Sequence, residues 1–386
     1  MNLSYKYSLL PSKRQHMALA AICESQRQLY NAALQERIDC YRNTGRSLSN
    51  FDQSGGLTEC RRYLPEMAAI PRTIQRWTLD RLDNAYKAFF RRLKAHNGKA
   101  GFPRFRGKDG WDSFGFSRFS GIQFDGKRLW FKGMPSGLRV HLHRPLPNNA
   151  DIRSCVLRRG AKGWWVSLQI FIETPEKTAV RTAVGIDLGL KVFAYCSDGL
   201  IIPNPRIARR AEREMRRRQR ALARCQRGSN RRRKVKAMLA RTHADIVNAR
   251  TTWLHQQSAL LTKRYDLIAV ENLNIKGMLK SPTLARSISD ASWSKFLGFL
   301  SYKAEKAGSY LIKVDPKGTS QKCSSCGKLV PKSLAVRTHS CPSCGLEIDR
   351  DWNASLNILS AVVSGGEPNV AQWGKRALGN LTLVTK

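Results

Sequence analysis

Acidic residues are scarce in this sequence: 28 Asp and Glu stand against 68 Lys and Arg in 386 residues, a formal net charge of +40. A folded chain tolerates such self-repulsion when polyanions neutralise it, so nucleic acid is the expected partner. Long apolar runs are missing too. None approaches the roughly 20 residues of a spanning helix, and the basic residues accompany aromatic and β-rich segments rather than one amphipathic helix, which argues against a membrane surface. The mildly apolar stretch from Met17 to Cys23 is too short for a secretory signal and runs on into an amphipathic pattern. A disulfide framework is also absent. Of ten cysteines, six (Cys23, Cys40, Cys60, Cys155, Cys196 and Cys225) are scattered without framework spacing, as expected in a reducing compartment.

The other four are ordered. Cys323-Ser-Ser-Cys326 and Cys341-Pro-Ser-Cys344 are matched Cys-x-x-Cys pairs, each followed by glycine (Gly327, Gly345) and separated by a hairpin-length segment. That is the arrangement of a four-thiolate zinc ribbon. The glycine lets backbone amides turn towards the sulfurs, where a side chain would obstruct them. A redox dithiol is the alternative, disfavoured by two matched pairs in one small unit. With no ligand position left open, the zinc ion would be structural.

Three of the few acids occur in apolar surroundings. Asp187 interrupts a β-rich run from Ala183 through Ile186, and the chain continues from Val192 to Cys196 before a turn at Ser197-Asp198-Gly199, so the whole reads as a hairpin. Glu271 is the first charge after Leu267, Ile268, Ala269 and Val270. Asp351 precedes Trp352, Ala354, Leu356, Ile358 and Leu359, the pattern of a helix packed on a sheet, for which Asp349 is either the N-cap or a rival ligand. Taken singly, each acid could be a solvated strand end or a cap. A carboxylate inside an apolar strand is nevertheless costly to bury unless it is paired or bound to a metal. Three carboxylates on a mixed sheet and its following helix would suit two divalent cations about 4 Å apart, one activating water and one stabilising the leaving oxygen of a phosphodiester. Magnesium, with its preference for hard oxygen ligands, fits.

Along the chain, Asn2 to Leu10 alternates as a strand, and Ser12 with Gln15 forms a capping box for a helix carrying Leu19, Ile22, Cys23, Tyr30, Ala33 and Leu34. The Ser, Gly and Asn content from Asn43 to Leu57 predicts a loop. A second helix, about Thr73 to Lys94, carries Leu82, Ala85, Tyr86, Phe89 and Leu93 as a core face, while Gln75, Arg76, Arg81, Arg91 and Arg92 form the polar face a nucleic acid would meet. In Gly101-Phe102-Pro103-Arg104-Phe105-Arg106, Arg104 and Arg106 alternate with rings, so guanidinium groups can pair with phosphates while the aromatics stack. Hairpins from Ser113 to about Glu173, turning at Asp125-Gly126 and near Gly160 to Gly163, suggest a small β-barrel whose missing strand is Asn2 to Leu10. The helical block is then an insertion. Pro175 to Arg181 reads as a linker. From Arg209 to Lys236, fourteen of 28 residues are Lys or Arg, including Arg216, Arg217, Arg232 and Arg233. So dense a row repels itself along a helix and calls for a phosphate backbone beside it. A helix from about Leu239 to Leu261 follows, and Ser364 to Lys386 reads as a loosely ordered tail.

The order GIDLG, VENL, paired Cys-x-x-Cys and DRDWNASLNI, from Val184 to Leu359, resembles the RuvC-type nuclease domain of TnpB, the transposon-encoded RNA-guided nucleases similar to type V CRISPR effectors. The GFPRFR segment resembles a short motif of the same family. One departure is Trp352, where the family commonly has a small or aliphatic residue. The resemblance places Asp187, Glu271 and Asp351 on the family's catalytic acids, which would hold two Mg2+ ions, beside one structural Zn2+ on Cys323, Cys326, Cys341 and Cys344. It implies a multidomain α/β fold: an RNase H-like (RuvC) nuclease domain at 181–363 with an inserted zinc ribbon at 316–347, and an N-terminal β-barrel (wedge) at 1–11 and 112–180, interrupted by a helical recognition domain at 12–111. A flexible tail at 364–386 completes it. The implied activity is Mg-dependent endonucleolytic cleavage of double-stranded DNA, directed by a guide RNA and a short target-adjacent motif. One copy of the chain per RNA is expected, in the cytoplasm of a prokaryotic cell at its nucleoid, without a membrane partner. Gln75 and its neighbours are candidates for reading the flanking motif. A guide-independent structure-specific nuclease and a non-catalytic nucleic-acid-binding repressor are the alternatives.

Overall fold

The computed structural model describes residues 1–95, 100–108, 110–147, 150–333 and 336–364. The chain divides after Glu173 into two compact units.

The first unit opens with β1 (Asn2–Leu9), which alternates between exposed and buried residues along its whole length. Ser12 and Gln15 then form a reciprocal capping box for α1 (Lys13–Thr44). The predicted loop from Asn43 to Leu57 is corrected, because α2 (Asn50–Tyr63) occupies much of it. A second box, Ser49 with Asp52, starts this helix, and burial of Gln53 and Leu57 outweighs the propensity cost of Gly55 and Gly56. Two more helices, α3 (Pro65–Ala69) and α4 (Arg72–Lys94), complete the block.

Six further strands follow: β2 (Ser113–Phe116), β3 (Ile122–Phe124), β4 (Arg128–Phe131), β5 (Met134–His141), β6 (Asp151–Gly160) and β7 (Gly163–Phe171). With β1 they make a seven-stranded sheet ordered β2-β6-β7-β1-β5-β4-β3. Strand β1 pairs with both β7 and β5, so the N-terminal segment fills the middle of the sheet formed by the later hairpins. The sheet curls almost onto itself: Phe116 of the edge strand β2 meets Phe131 of β4, ring centroids 5.2 Å apart. Among the described residues, no hydrogen-bonded pair closes it.

The second unit begins with β8 (Ala183–Leu188), β9 (Val192–Cys196) and β10 (Ile201–Pro203). Helices α5 (Ile207–Arg210), α6 (Glu212–Ala223) and α7 (Asn230–Arg264) lead to β11 (Leu267–Glu271). Then come α8 (Ile275–Met278), α9 (Ala285–Ala291), α10 (Trp293–Ala307), β12 (Tyr310–Val314), β13 (Thr338–Ser340), β14 (Glu347–Asp349) and α11 (Arg350–Ser364). The basic segment is a helical hairpin rather than a single row. Ser229 caps α7 well before the expected start near Leu239, and splitting the charge between two helices shortens each run. The predicted tail beyond Ser364 lies outside the described residues.

The main sheet runs β10-β9-β8-β11-β12. Strands β8, β11 and β12 are parallel, and β9 and β10 are antiparallel. Every residue of β11 is buried, as a parallel strand covered on both faces should be. Side chains alternate between faces with a period of two. Val184, Ile186, Ile268 and Val270 pack with Leu254 and Leu261 of α7 and with Phe296 and Leu300 of α10. Leu267 and Ala269 pack instead with Ile358, Leu359 and Val362 of α11. By the same parity Gly185, Asp187 and Glu271 belong to the α11 face. The helix lies so close that a Cβ on Gly185 would fall 2.1 Å from the Ser355 carbonyl oxygen, which is why that strand position is glycine.

Candidate active site

Strand pairing brings the first two acids together. In the parallel register Val270 lies opposite Ile186, and one step further along the same offset sets Glu271 beside Asp187. Asp351 stands in the first turn of α11, the helix that covers this face. Its approach is fixed from two sides. Asp349 Oδ1 accepts the backbone N–H groups of Asp351 at 2.8 Å and Trp352 at 3.2 Å, an N-cap that uses one of its two carboxylate oxygens. The Trp352 indole N–H donates to the Ser197 carbonyl at 3.1 Å, and Ser197 Oγ accepts the Gly185 N–H at 3.0 Å. The bulky tryptophan thus ties the start of α11 to the strand that carries Asp187.

Like charges meet here, Glu271 buried and Asp187 and Asp351 half-buried. Burial, first, and then Glu271, Asp351 and Asp349 push the Asp187 carboxyl up to about 8, with Arg350 opposing them. Burial likewise raises Glu271, against a hydrogen bond donated by the Thr319 hydroxyl. Asp351 is engaged by Arg350 at 2.8 Å and by Arg337 at 3.7 Å. The donors are hard oxygens, and their mutual repulsion is what a divalent cation would relieve, so the set fits magnesium.

The four cysteines make a tighter group. Cys323 and Cys344 sulfurs are 3.6 Å apart, as are those of Cys326 and Cys341. Thiolates at about 2.3 Å from a tetrahedral zinc ion would be about 3.8 Å apart, so the cluster is compatible with a structural zinc site. All four sulfurs lie within 4.8 Å of one another, and no other set of three or more His, Cys, Asp or Glu ligand atoms among the described residues is as close. The three carboxylates therefore stand farther apart than the thiolates. Gly327 and Gly345 both adopt φ 73°, and their N–H groups donate to the carbonyls of Cys323 and Cys341 at 2.9 Å. The amides of Ser343 and Cys344 turn on the Cys341 sulfur and hold its thiol down to about 6.

Three residues that the sequence reading passed over join the two centres. Asn353 accepts the Ser324 N–H at 2.9 Å and donates to the Lys322 carbonyl at 2.7 Å. Asn357, one turn on along α11, donates to the carbonyls of Thr319 at 2.8 Å and Lys322 at 2.7 Å. The third is Thr319, the donor to Glu271. The i, i+4 spacing of the two asparagines was the available signal.

The nucleic-acid candidates divide. Arg76, Arg104, Arg106, Arg217 and Arg233 are exposed. Gln75 does not belong to the polar face of α4, a correction: it is fully buried, donates to the Met67 carbonyl at 3.0 Å and accepts from Arg61. Arg81 is likewise withdrawn, its guanidinium 4.8 Å from the Trp77 ring centroid and 4.3 Å from that of Trp111. The proposed core face of α4 also ends early, because Leu93 is exposed and Tyr86 and Phe89 pack on Phe102. Asn31 pins the backbone of Arg106, accepting its N–H at 2.8 Å and donating to its carbonyl at 3.0 Å. Arg232 is spent within its own hairpin, donating to the carbonyls of Leu222 at 2.9 Å and Cys225 at 3.1 Å, and Arg216 pairs with Glu212. A cavity of about 660 Å³ is lined by Lys191, Arg206, Arg209, Arg216, Arg286 and Arg337 among others, and its Arg337 is the residue that reaches Asp351.

Family models match three stretches: "Helix-turn-helix domain" at residues 1–46, "Probable transposase" at 167–282 and "Cas12f1-like, TNB domain" at 293–358. Residues 1–46 form one strand and one long helix, so the first description does not correspond to the local structure. A Streptomyces pristinaespiralis protein bearing the name of an RNA-guided DNA endonuclease is 31% identical over 367 residues, covering 93% of this chain and 89% of the relative. Escherichia coli (strain K12) InsQ, with the same activity in its name, is 25% identical over 382 residues, covering 93% and 92%. Among solved structures, a Cas12f1-sgRNA-target DNA complex aligns with TM-score 0.56 at 14% identity, covering 90% of this chain and 83% of that one, a likeness of fold. No helix among the described residues is long and apolar enough to cross a membrane.

Proposed function

This chain belongs to the TnpB-like RNA-guided DNA endonucleases, and on that premise we propose that it cuts double-stranded DNA at one magnesium-dependent site chosen by a bound guide RNA. The observation that carries the reading is the parity of two adjacent parallel strands, which turns Asp187 and Glu271 to the face covered by α11 and its Asp351. We read this unit as an RNase H-like (RuvC) nuclease domain at 181–363. Asp187, Glu271 and Asp351 would hold two Mg2+ ions. When bound, magnesium supplies an activated water and charge compensation at the leaving oxygen of a phosphodiester.

The chain's own groups bring the strand to that point. Lys191, Arg206 and Arg209 line the basic cavity beside Arg337 and can pair with successive phosphates. Cys323, Cys326, Cys341 and Cys344 would hold one structural zinc ion in a ribbon at 316–347. In the first unit, the curled sheet is read as a wedge at 1–11 and 112–180, and the helices as a recognition domain at 12–111. Exposed Arg76, Arg104 and Arg106 are the candidates for phosphate contacts there. Base pairing would read most of the target, and the protein a short flank.

The test begins by sequencing RNA that copurifies with the protein. One discrete species is expected; its absence favours a guide-independent nuclease. With that RNA supplied, plasmid cleavage should rise with magnesium, and Asp187→Ala or Glu271→Ala should abolish it while guide-dependent DNA binding survives. Cutting retained in either variant overturns the assignment, and wild-type protein that binds without cutting at any magnesium concentration is a repressor-like binder.

A further inference from the structure

We propose that Thr319 is the positioning residue of the acid site, its hydroxyl orienting the Glu271 carboxylate so that the thiolate cluster braces the metal-binding acids. The inference rests on the acid-site reading above. Thr319 is buried, and it is the one hydrogen-bond donor to the Glu271 carboxylate among the described residues. Its Oγ1 has two acceptors within reach, that carboxylate and the Pro316 carbonyl at 3.1 Å. A hydroxyl carries one proton, and the closer, charged acceptor takes it.

Thr319 is itself held in place. It lies four residues before Cys323, in the segment that leads into the first knuckle. Asn357 grips its carbonyl and that of Lys322, and Asn353 grips Lys322 and Ser324 on either side of Cys323. Both asparagines stand on α11, the helix whose first turn carries Asp351. One brace therefore joins three parts: the end of β11, the start of α11 and the thiolate knuckle. Glu271 closes β11, and the bond from the Thr319 hydroxyl fixes which way its carboxylate turns. Partners of this kind typically change metal affinity by 10- to 100-fold.

The full-length, zinc-loaded chain with its RNA is titrated with Mn2+ and followed by electron paramagnetic resonance, with zinc content, melting temperature and DNA cleavage measured in parallel. Thr319→Val, which removes the hydroxyl at nearly constant volume, should weaken Mn2+ binding about tenfold or more and lower kcat with KM for DNA unchanged, its zinc content still one per chain. Thr319→Ser should stay within about threefold of wild type. Should Thr319→Val fail to fold, Asn357→Ala carries the test, releasing the Thr319 carbonyl without touching Glu271; it should weaken Mn2+ binding severalfold. Wild-type Mn2+ affinity in Thr319→Val or in Asn357→Ala overturns the proposal, as does a Thr319→Ser variant as impaired as the valine. Glu271→Ala separates the two levels. If it binds Mn2+ and cuts normally, the acid-site reading falls; if it is dead while Thr319→Val is normal, only the role of Thr319 falls.

Discussion

In the second unit four sulfurs lie within 4.8 Å of one another, whereas the three candidate carboxylates reach their common face from separate backbone elements and stand farther apart. The thiolates are drawn in by local turns: two glycines with φ 73° and amides aimed at sulfur. The carboxylates are brought in by topology, and desolvation first, then the charges of Glu271 and Asp351, push Asp187 up to about 8. One set is closed and relaxed; the other is open and stressed. A relaxed set of ligands stabilises a fold, while a stressed one gives up stability for a charge that a substrate-side cation can use.

Substitutions at the two sites should therefore act in opposite directions. Cys341→Ser should lose the zinc ion and lower the melting temperature sharply, since structural zinc contributes on the order of 10 kcal/mol in small domains. Zinc content with a thermal melt checks this. Asp187→Asn should instead abolish cleavage yet raise the melting temperature of the zinc-loaded protein without magnesium at pH 8, because it removes a carboxylate that is costly to desolvate ionised. A fall in stability would break the contrast.

The pH dependence follows with its sign. Asp187 is raised in the fold above its unfolded value, so its contribution to stability is fully present below about pH 4 and is lost as pH rises through about 8. Denaturant midpoints of the zinc-loaded protein without magnesium should decline across that window, and added magnesium should recover the loss, more at pH 8 than at pH 5. Gly185→Ala probes the closeness of α11 to β8 and should cost about 1–3 kcal/mol, read from the same midpoints, because the new methyl would meet the Ser355 carbonyl. The smallest effects belong to α4. Gln75→Ala should cost about 1 kcal/mol of stability, because it removes one acceptor of Arg61 while the carbonyls of Met67, Ala68 and Ile70 keep the guanidinium bonded, whereas Arg76→Ala should leave stability unchanged and lower the salt dependence of nucleic-acid binding by about one ion.

Local signals in the chain were the ones that could be read directly. The Ser12–Gln15 box, the alternation of β1 and the two glycine knuckles are short-range patterns, and each has its structural counterpart. Alternation also sufficed to suspect Asp187 and Glu271, because a charge inside an apolar strand is visible without knowing its neighbours. What escaped depends on partners far along the chain. Gln75 sits at a position that helical spacing leaves ambiguous, and only Arg61 and the Met67 carbonyl decide its burial. Arg232 looks like one more cation in a basic run, yet it closes the end of α6. Helix α2 was hidden by its glycines, and Thr319 by being an ordinary residue whose meaning comes from Glu271, 48 positions earlier.

The most direct measurement is the anomalous scattering of Mn2+ in crystals of the zinc-loaded protein. The account predicts manganese density in contact with Asp187, Glu271 and Asp351 together, displacing Arg350 and Arg337 from Asp351, with zinc density confined to the four cysteines. Manganese that saturates elsewhere, while the three carboxylates keep only their present partners, would contradict it.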